Sequence, residues 1–149
     1  MTKKLALVTV TYNTDHNLPF FPPSLLKNNN TIQHMYVVDN ASQDTTLEAL
    51  ETCKQSENLP LDIISNKKNY GYAHAINIGI RKALDDGYTY ICVTNNDIIF
   101  EAGFFTQMLD DAQAHAIDAL GVPASISDQE IGFGYNLDTE TYAPKKEAS

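Results

Sequence analysis

Leu5-Ala6-Leu7-Val8-Thr9-Val10-Thr11 is an unbroken apolar and β-branched run, the pattern of a strand covered on both faces in the middle of a parallel sheet. It ends at Tyr12-Asn13. Pro19, Pro22 and Pro23 rule out a long helix in the next stretch, so Ser24-Leu25-Leu26-Lys27 is read as a short one before the Asn28-Asn29-Asn30 loop. Met35-Tyr36-Val37-Val38 predicts a second buried strand that runs directly into the loop-forming cluster Asp39-Asn40-Ala41-Ser42. Thr45 and Glu48 have capping-box spacing, and the helix they open carries Leu47, Leu50 and Cys53 on one face.

The alternation continues. Leu61-Asp62-Ile63-Ile64 is a third strand, followed by a polar loop from Asn66 to Gly71. Ala73, Ile76, Ile80 and Ala83/Leu84 recur at helical spacing and predict a helix from about Ala73 to Asp85, stopped by Asp85-Asp86-Gly87. Tyr90-Ile91-Cys92-Val93 is a fourth, buried strand that exits through Thr94-Asn95-Asn96-Asp97. Phe104, Phe105, Met108, Leu109 and Ala112 form the apolar stripe of a further helix, and Ala119-Leu120-Gly121-Val122-Pro123 a fifth short strand. From Ser125 the pattern fades, so residues 125–149 are expected to be hairpin, irregular or partly disordered.

Strands that alternate with helices imply right-handed βαβ crossovers. The fold class is therefore α/β: a mostly parallel sheet with helices on both faces, in three α/β/α layers. In such sheets ligands bind outside the carboxyl ends of the strands, where Tyr12-Asn13, Asp39-Asn40 and Asn95-Asn96-Asp97 all fall.

Composition narrows the classes. With 149 residues and 16.5 kDa the chain is read as one domain. Ten Lys+Arg against nineteen Asp+Glu give a net charge of −9, which repels polyphosphate backbones and excludes a broad nucleic-acid footprint. A single nucleotide can still bind locally. Cys53 and Cys92 lack both disulfide density and metal-ligand spacing and read as reduced core thiols. The run behind Lys3-Lys4 is too short for a signal sequence or a membrane span, which places the chain in the cytoplasm. His16, His34, His74 and His115 show no metal-ligand pairing and are assigned to surface or loop positions, with only His74 beside a candidate site.

Chemistry gathers at the strand exits. An ionised Asp39 accepts hydrogen bonds and donates none, so it suits the imide N–H of uracil or thymine or a ribose hydroxyl, while Tyr12 offers a stacking face. The same residue type also caps turns. Asp97 supplies one carboxylate through which a divalent cation could meet a diphosphate, since magnesium takes one or two carboxylates plus phosphate oxygens and water. Asn69-Tyr70-Gly71 opens a helix whose N-terminus favours phosphate, without the Gly-Lys-Ser/Thr of a P-loop. Asn77 and Gly79 are unfavourable inside that helix and point to a polar contact and a close approach respectively. No Gly-x-Ser-x-Gly elbow and no Gly-x-Gly-x-x-Gly fingerprint occurs, so hydrolase and dinucleotide-oxidoreductase readings lose their usual support.

Taken together, Val8-Thr9-Val10-Thr11-Tyr12-Asn13, Val37-Val38-Asp39-Asn40-Ala41-Ser42-Gln43-Asp44-Thr45, Asn69-Tyr70-Gly71 with Ala73, Asn77 and Gly79, and Asn95-Asn96-Asp97 resemble family 2 glycosyltransferases of the GT-A fold, in their rhamnosyltransferase-like branch. The resemblance covers about Lys4 to Pro123. It implies a nucleotide-diphosphate sugar site in which Thr11, Tyr12 and Asp39 hold the nucleoside and Asn69, Gly71 and Asn77 line the cleft, with Asn13, Asn40, Ser42, Asn95 and Asn96 also among the nucleotide-sugar-binding residues. Asp97 would be the last residue of the family's Asp-x-Asp element, holding Mg²⁺ or Mn²⁺, with Asn95 where the first aspartate usually stands. UDP or dTDP is expected in preference to GDP, and the acceptor would be a glycan or lipid-linked hydroxyl of a surface polysaccharide, at or near the inner membrane face. The implied reaction is an inverting displacement.

Family members continue beyond the metal element into strands that carry the general base, whereas 52 residues follow Asp97 here. Asp128, Glu130, Asp138 and Glu140 lack the family's Glu-Asp context, and no base is assigned. The resemblance thus implies a truncated GT-A domain. The alternatives are a non-catalytic nucleotide-sugar-binding or interaction module and half of a split enzyme completed by a partner chain or a second copy. A nucleotidyltransferase of similar architecture lacks the glycine-rich, basic first loop it would need.

Overall fold

The computed structural model describes residues 4–28, 30–56, 60–115, 119–121, 133–136 and 141–144. The chain divides into two compact units, Met1–Ala102 and Gly103–Ser149. The physical reason is that the parallel strands and the antiparallel strands pair within separate sheets.

In the first unit, β1 (Leu5–Thr11), β2 (Ile32–Asp39), β3 (Leu61–Ser65) and β4 (Tyr90–Val93) form a parallel sheet in the order β3-β2-β1-β4. The two strands with the longest apolar runs are the central ones, and Leu5 to Val8 and Met35 to Val38 are all buried. Register aligns Thr11 with Asp39 and Asp39 with Ser65, so three strand ends finish level. β4 pairs with β1 alone among the described residues, and Val93 is exposed. The expected buried strand is only half-buried among the described residues, its burial decreasing to the exposed Val93.

Helix α1 (Phe21–Leu26) joins β1 to β2, α2 (Thr46–Ser56) joins β2 to β3, and α3 (Tyr72–Asp85) joins β3 to β4. The first two connections step one way along the sheet and the third steps back across it. With right-handed crossovers, α1 and α2 therefore lie on one face and α3 on the other. α1 starts earlier than expected: Pro22 and Pro23 occupy its first turn, where a missing N–H costs nothing. At α2 the capping box is not made by Thr45, whose hydroxyl donates to Asp15 Oδ2 (2.7 Å); Asp44 Oδ1 accepts the Thr46 N–H instead (3.0 Å).

α3 lies against Ala6, Val8 and Tyr36 through Ile76 and Ala83, with Val10, Ile64 and Ile80 around them. Its buried face is Ala75, Ile76, Gly79 and Ala83, while Ala73 and Leu84 are exposed. The expected stripe is thus rotated, because the helix closes on the sheet through Gly79. A Cβ there would run into Val8 Cγ1 and lie 3.2 Å from Val38 Cγ2, which is the close approach expected of this glycine. Gly87, at φ +82°, ends the helix, with its N–H donating to the Leu84 carbonyl.

The second unit contains α4 (Phe104–Ala114), on which Phe105 and Leu109 are buried, and an antiparallel sheet of β5 (Ala119–Gly121), β6 (Phe133–Asn136) and β7 (Thr141–Pro144). Part of the stretch 125–149 is therefore a regular strand pair. Val122, Pro123 and the carboxylates Asp128, Glu130, Asp138 and Glu140 lie outside the described residues.

Candidate functional site

The strand order reverses between β1 and β4, since the chain leaves β1 toward β2 and reaches β4 only after crossing back. This is the topological switch point at which open α/β sheets bind ligands. A cleft of about 430 Å³ opens there. Val10, Tyr12 and Thr14 line it from the β1 exit, Asn40 from the β2 exit, Asn69, Gly71 and Tyr72 from the entry to α3, and Asn95, Asn96 and Asp97 from the β4 exit.

Behind the cleft, polar side chains fasten the loops to one another. Asp39 ends β2 with no exposed surface. Its Oδ1 accepts from the hydroxyls of Thr11 (3.1 Å) and Ser42 (2.5 Å), and its Oδ2 from the Ser42 N–H (3.0 Å). The carboxylate thus holds the turn that follows it and does not line the cleft. One acceptor position, on Oδ2, remains for its expected partner, a nucleoside N–H. Asn13, at φ +52°, accepts the Gln43 N–H on Oδ1 (2.8 Å) and donates its own N–H to Ser42 Oγ (2.9 Å). Ala41 sits at φ +67°, a left-handed conformation that costs an L-residue about 1–2 kcal/mol. The knot of bonds around Ser42 offsets it.

The third wall is a carboxamide network. Asn40 donates through Nδ2 to Asn69 Oδ1 (2.7 Å), while its Oδ1 accepts from Asn66 Nδ2 (3.1 Å) and the Tyr70 N–H (3.1 Å). Asn69 Oδ1 also accepts the Gly71 N–H (2.8 Å). This draws the chain into a backbone conformation, φ +83° and ψ 159° at Gly71, that glycine alone adopts readily. α3 begins at once, with no side chain bonded as its cap. Its first-turn N–H groups, where the helix dipole favours anions, start at the cleft wall.

At the β4 exit the side chains alternate: Asn95 and Asp97 are exposed and Asn96 is buried. The Tyr72 hydroxyl donates to Asn95 Oδ1 (3.4 Å), and desolvation raises the Tyr72 pKa above its ordinary value. Asp97 is the only carboxylate lining the cleft among the described residues, and no cluster of three metal-ligating side chains occurs among them. One exposed carboxylate beside a carboxamide is a hard-oxygen donor set. It fits a Mg²⁺- or Mn²⁺-type ion that takes its remaining ligands from a diphosphate and water, and it does not fit a cation held by protein alone.

Of the residues expected at the site, Tyr12, Asn40, Asn69, Gly71, Asn95, Asn96 and Asp97 share the cleft. Thr11, Asn13, Asp39 and Ser42 stand behind it as its framework. Asn77 is exposed on α3 and lines no part of it; the helix face rotated by Gly79 carries it outward. His74 stacks on Tyr70 (ring centroids 5.0 Å) outside the cleft, with Lys68 Nζ 5.3 Å from the same ring. His34, expected at the surface or in a loop, lies in β2 with Nε2 3.2 Å from Asp62 Oδ2. Val10, Thr14, Tyr72 and Asn66 were missed, although the first three adjoin residues already chosen. Cys92 is half-buried and outside any disulfide, and burial pushes its thiol up to about 12.

The family model described as Glycosyl transferase family 2 matches residues 6–147. Among solved structures, residues 1–349 of S. aureus TarS superpose with a TM-score of 0.67 at 20% identity, covering 85% of this chain and 40% of that one. The same protein in complex with UDP-GlcNAc gives 0.68 at 20% identity, over 86% and 39%. The mannosyltransferase PcManGT from Pyrobaculum calidifontis, in complex with GDP-Man and Mn²⁺, gives 0.63 at 18% identity, over 85% and 36%. At these identities the likeness is one of fold. No curated protein matches in sequence. The chain spans about 40% of the length of the TarS chain in that structure.

Proposed function

The chain belongs to glycosyl transferase family 2, and from that premise we propose that it binds a nucleotide-diphosphate sugar in the switch-point cleft and serves transfer of the sugar to an acceptor hydroxyl. The observation that carries this reading is the cleft itself. It sets the aromatic ring of Tyr12 at the β1 exit, the uncapped N-terminus of α3 and the carboxylate of Asp97 around one cavity. A nucleoside diphosphate needs those three things: a face for the base, N–H donors for phosphate and a place for a cation. TarS and PcManGT, which share the fold, have structures in complex with UDP-GlcNAc and with GDP-Man and Mn²⁺ respectively.

In this reading Tyr12 stacks on the base. Thr11, Asp39 and Ser42 hold the loop that presents the nucleoside pocket, and Asn40 and Asn69 fix the backbone at Gly71 so that the first turn of α3 meets the diphosphate. Asn95 and Asp97 offer oxygen ligands on the far side. Mg²⁺ or Mn²⁺ bound there would neutralise charge on the departing diphosphate. UDP or dTDP in preference to GDP, a rhamnosyltransferase-like donor, a role in surface polysaccharide and a place at the inner membrane face belong to the same proposal. No helix among the described residues is long and apolar enough to cross a membrane.

A second reading is favoured by one observation: among the described residues no carboxylate but Asp97 lines the cleft, so none of them stands free of the metal position to act as base for the acceptor hydroxyl. The chain would then act as a donor-binding module, or as half of an enzyme completed by a partner chain or a second copy. Thermal shift with UDP, dTDP and GDP, each with and without Mn²⁺, tests binding: a rise in Tm with UDP or dTDP that grows with Mn²⁺ is expected, and no rise with any nucleotide overturns the proposal. Release of sugar from UDP- or dTDP-sugars by the same preparation separates the two readings.

A further inference from the structure

We infer that Asn96 is a positioning residue: its side chain clamps the β4 exit to the β1 exit and so sets Asp97 at its place in the cleft, without itself holding ligand. The inference rests on reading the cleft as the nucleotide-sugar site. The backbone pairing of β1 with β4 ends at Val8 and Val93, with one further bond from the Thr94 N–H to the Val8 carbonyl (3.1 Å). Beyond it the Asn96 side chain takes over. Its Nδ2 donates to the Val10 carbonyl (3.2 Å) and to Thr14 Oγ1 (3.0 Å), and its Oδ1 accepts from Asn17 Nδ2 (3.3 Å).

A carbonyl oxygen can only accept, so the bond to Val10 fixes which end of the carboxamide faces it. Both amide protons are then committed, and a single acceptor position remains for anything else. Asn96 is 7% exposed, whereas its neighbours Asn95 and Asp97 face solvent. The residue expected to bind ligand thus spends its hydrogen bonds on the protein and leaves the cleft to the residues on either side. Aspartate would not serve here, because a carboxylate oxygen would meet the Val10 carbonyl oxygen with no proton between them.

The test uses the full chain with Asn96→Ala, Thr14→Val and Thr14→Ser, the last keeping the hydroxyl. Hydrogen exchange without ligand should rise by about tenfold at the amides of residues 94–98 in Asn96→Ala. It should rise less in Thr14→Val, stay at the wild-type rate in Thr14→Ser, and leave the middle of α3 unchanged in all three. The Mn²⁺ concentration that half-maximally enhances UDP binding should rise by about tenfold in Asn96→Ala and no further when Thr14→Val is added, because both remove the same link. Unchanged exchange at residues 94–98, or fully additive effects of the two substitutions, overturns the clamp. If the wild-type chain binds no nucleotide, the reading of the cleft falls, and the exchange experiment alone still decides whether Asn96 is the clamp.

Discussion

Replacing Gly79 with alanine sets two effects of opposite sign against each other at one atom. In an isolated helix the change favours folding by about 1 kcal/mol. Here the new Cβ would lie 3.2 Å from Val38 Cγ2 and nearer still to Val8 Cγ1, when comfortable carbon contacts begin near 3.5 Å. Both valines are fully buried in the two central strands, so neither has space to withdraw. Overpacking of such a core costs about 1–3 kcal/mol, and with two contacts on fixed strands the upper end applies. The net expectation is a loss of about 2 kcal/mol, which for a domain of this size lowers Tm by about 4–8 °C. Urea unfolding followed by far-UV circular dichroism measures it. Val8→Ala removes the offending methyl group, so the double variant should be more stable than the sum of the single losses by about 1 kcal/mol or more. A Gly79→Ala chain as stable as wild type, or additivity with Val8→Ala, would refute the account of why this helix carries a glycine.

Four further outcomes are expected. Ala41→Gly should raise stability by about 0.5–1 kcal/mol in urea melts, because relief of the left-handed strain at φ +67° exceeds the added chain entropy; a loss would mean that the methyl group is needed. Asp39→Ala should cost about 2–4 kcal/mol by stranding the Thr11 and Ser42 donors. Asp97→Ala, at an exposed position, should change stability by less than about 0.5 kcal/mol yet abolish Mn²⁺ enhancement of UDP binding; the reverse pattern would exchange their roles. Lys82, which donates to Asp86, and the Tyr36 hydroxyl hold the Asp86 carboxyl below its ordinary range. Its stabilising contribution is therefore present above the unfolded value of about 3.9 and is lost as pH falls through the lower folded value. Tm curves of wild type and Asp86→Asn should differ at neutral pH and converge in acid, and parallel curves would exclude the linkage.

Much of the fold is written in local pattern, and where the pattern misled, a tertiary neighbour explains it. The apolar runs at Leu5 and Met35 became the two buried central strands because uninterrupted β-branched stretches have few other stable environments. The α3 stripe was displaced because spacing alone cannot tell which of two adjacent faces meets the sheet; Val8 and Val38, distant in sequence, select the one bearing Gly79. β4 carried the same signature as the central strands yet is only half-buried among the described residues, since an apolar run records the tendency to be covered and not what the fold brings to cover it.

Side-chain periodicity and the handedness of crossovers are local properties of the chain, so the alternation of strand and helix, and with it the placing of Tyr12, Asn40, Asn69 and Asp97 at one end of one sheet, could be read from the residues alone. Which polar groups face the cleft and which hold it together depends on packing between distant segments. Asp39 and Asp97 are the same residue type at the same kind of strand exit, yet Asp39 is sealed by Thr11 and Ser42 while Asp97 stands open. A carboxylate is satisfied equally by a hydroxyl of its own chain or by a ligand, and which of the two it meets depends on what the fold brings within hydrogen-bonding distance.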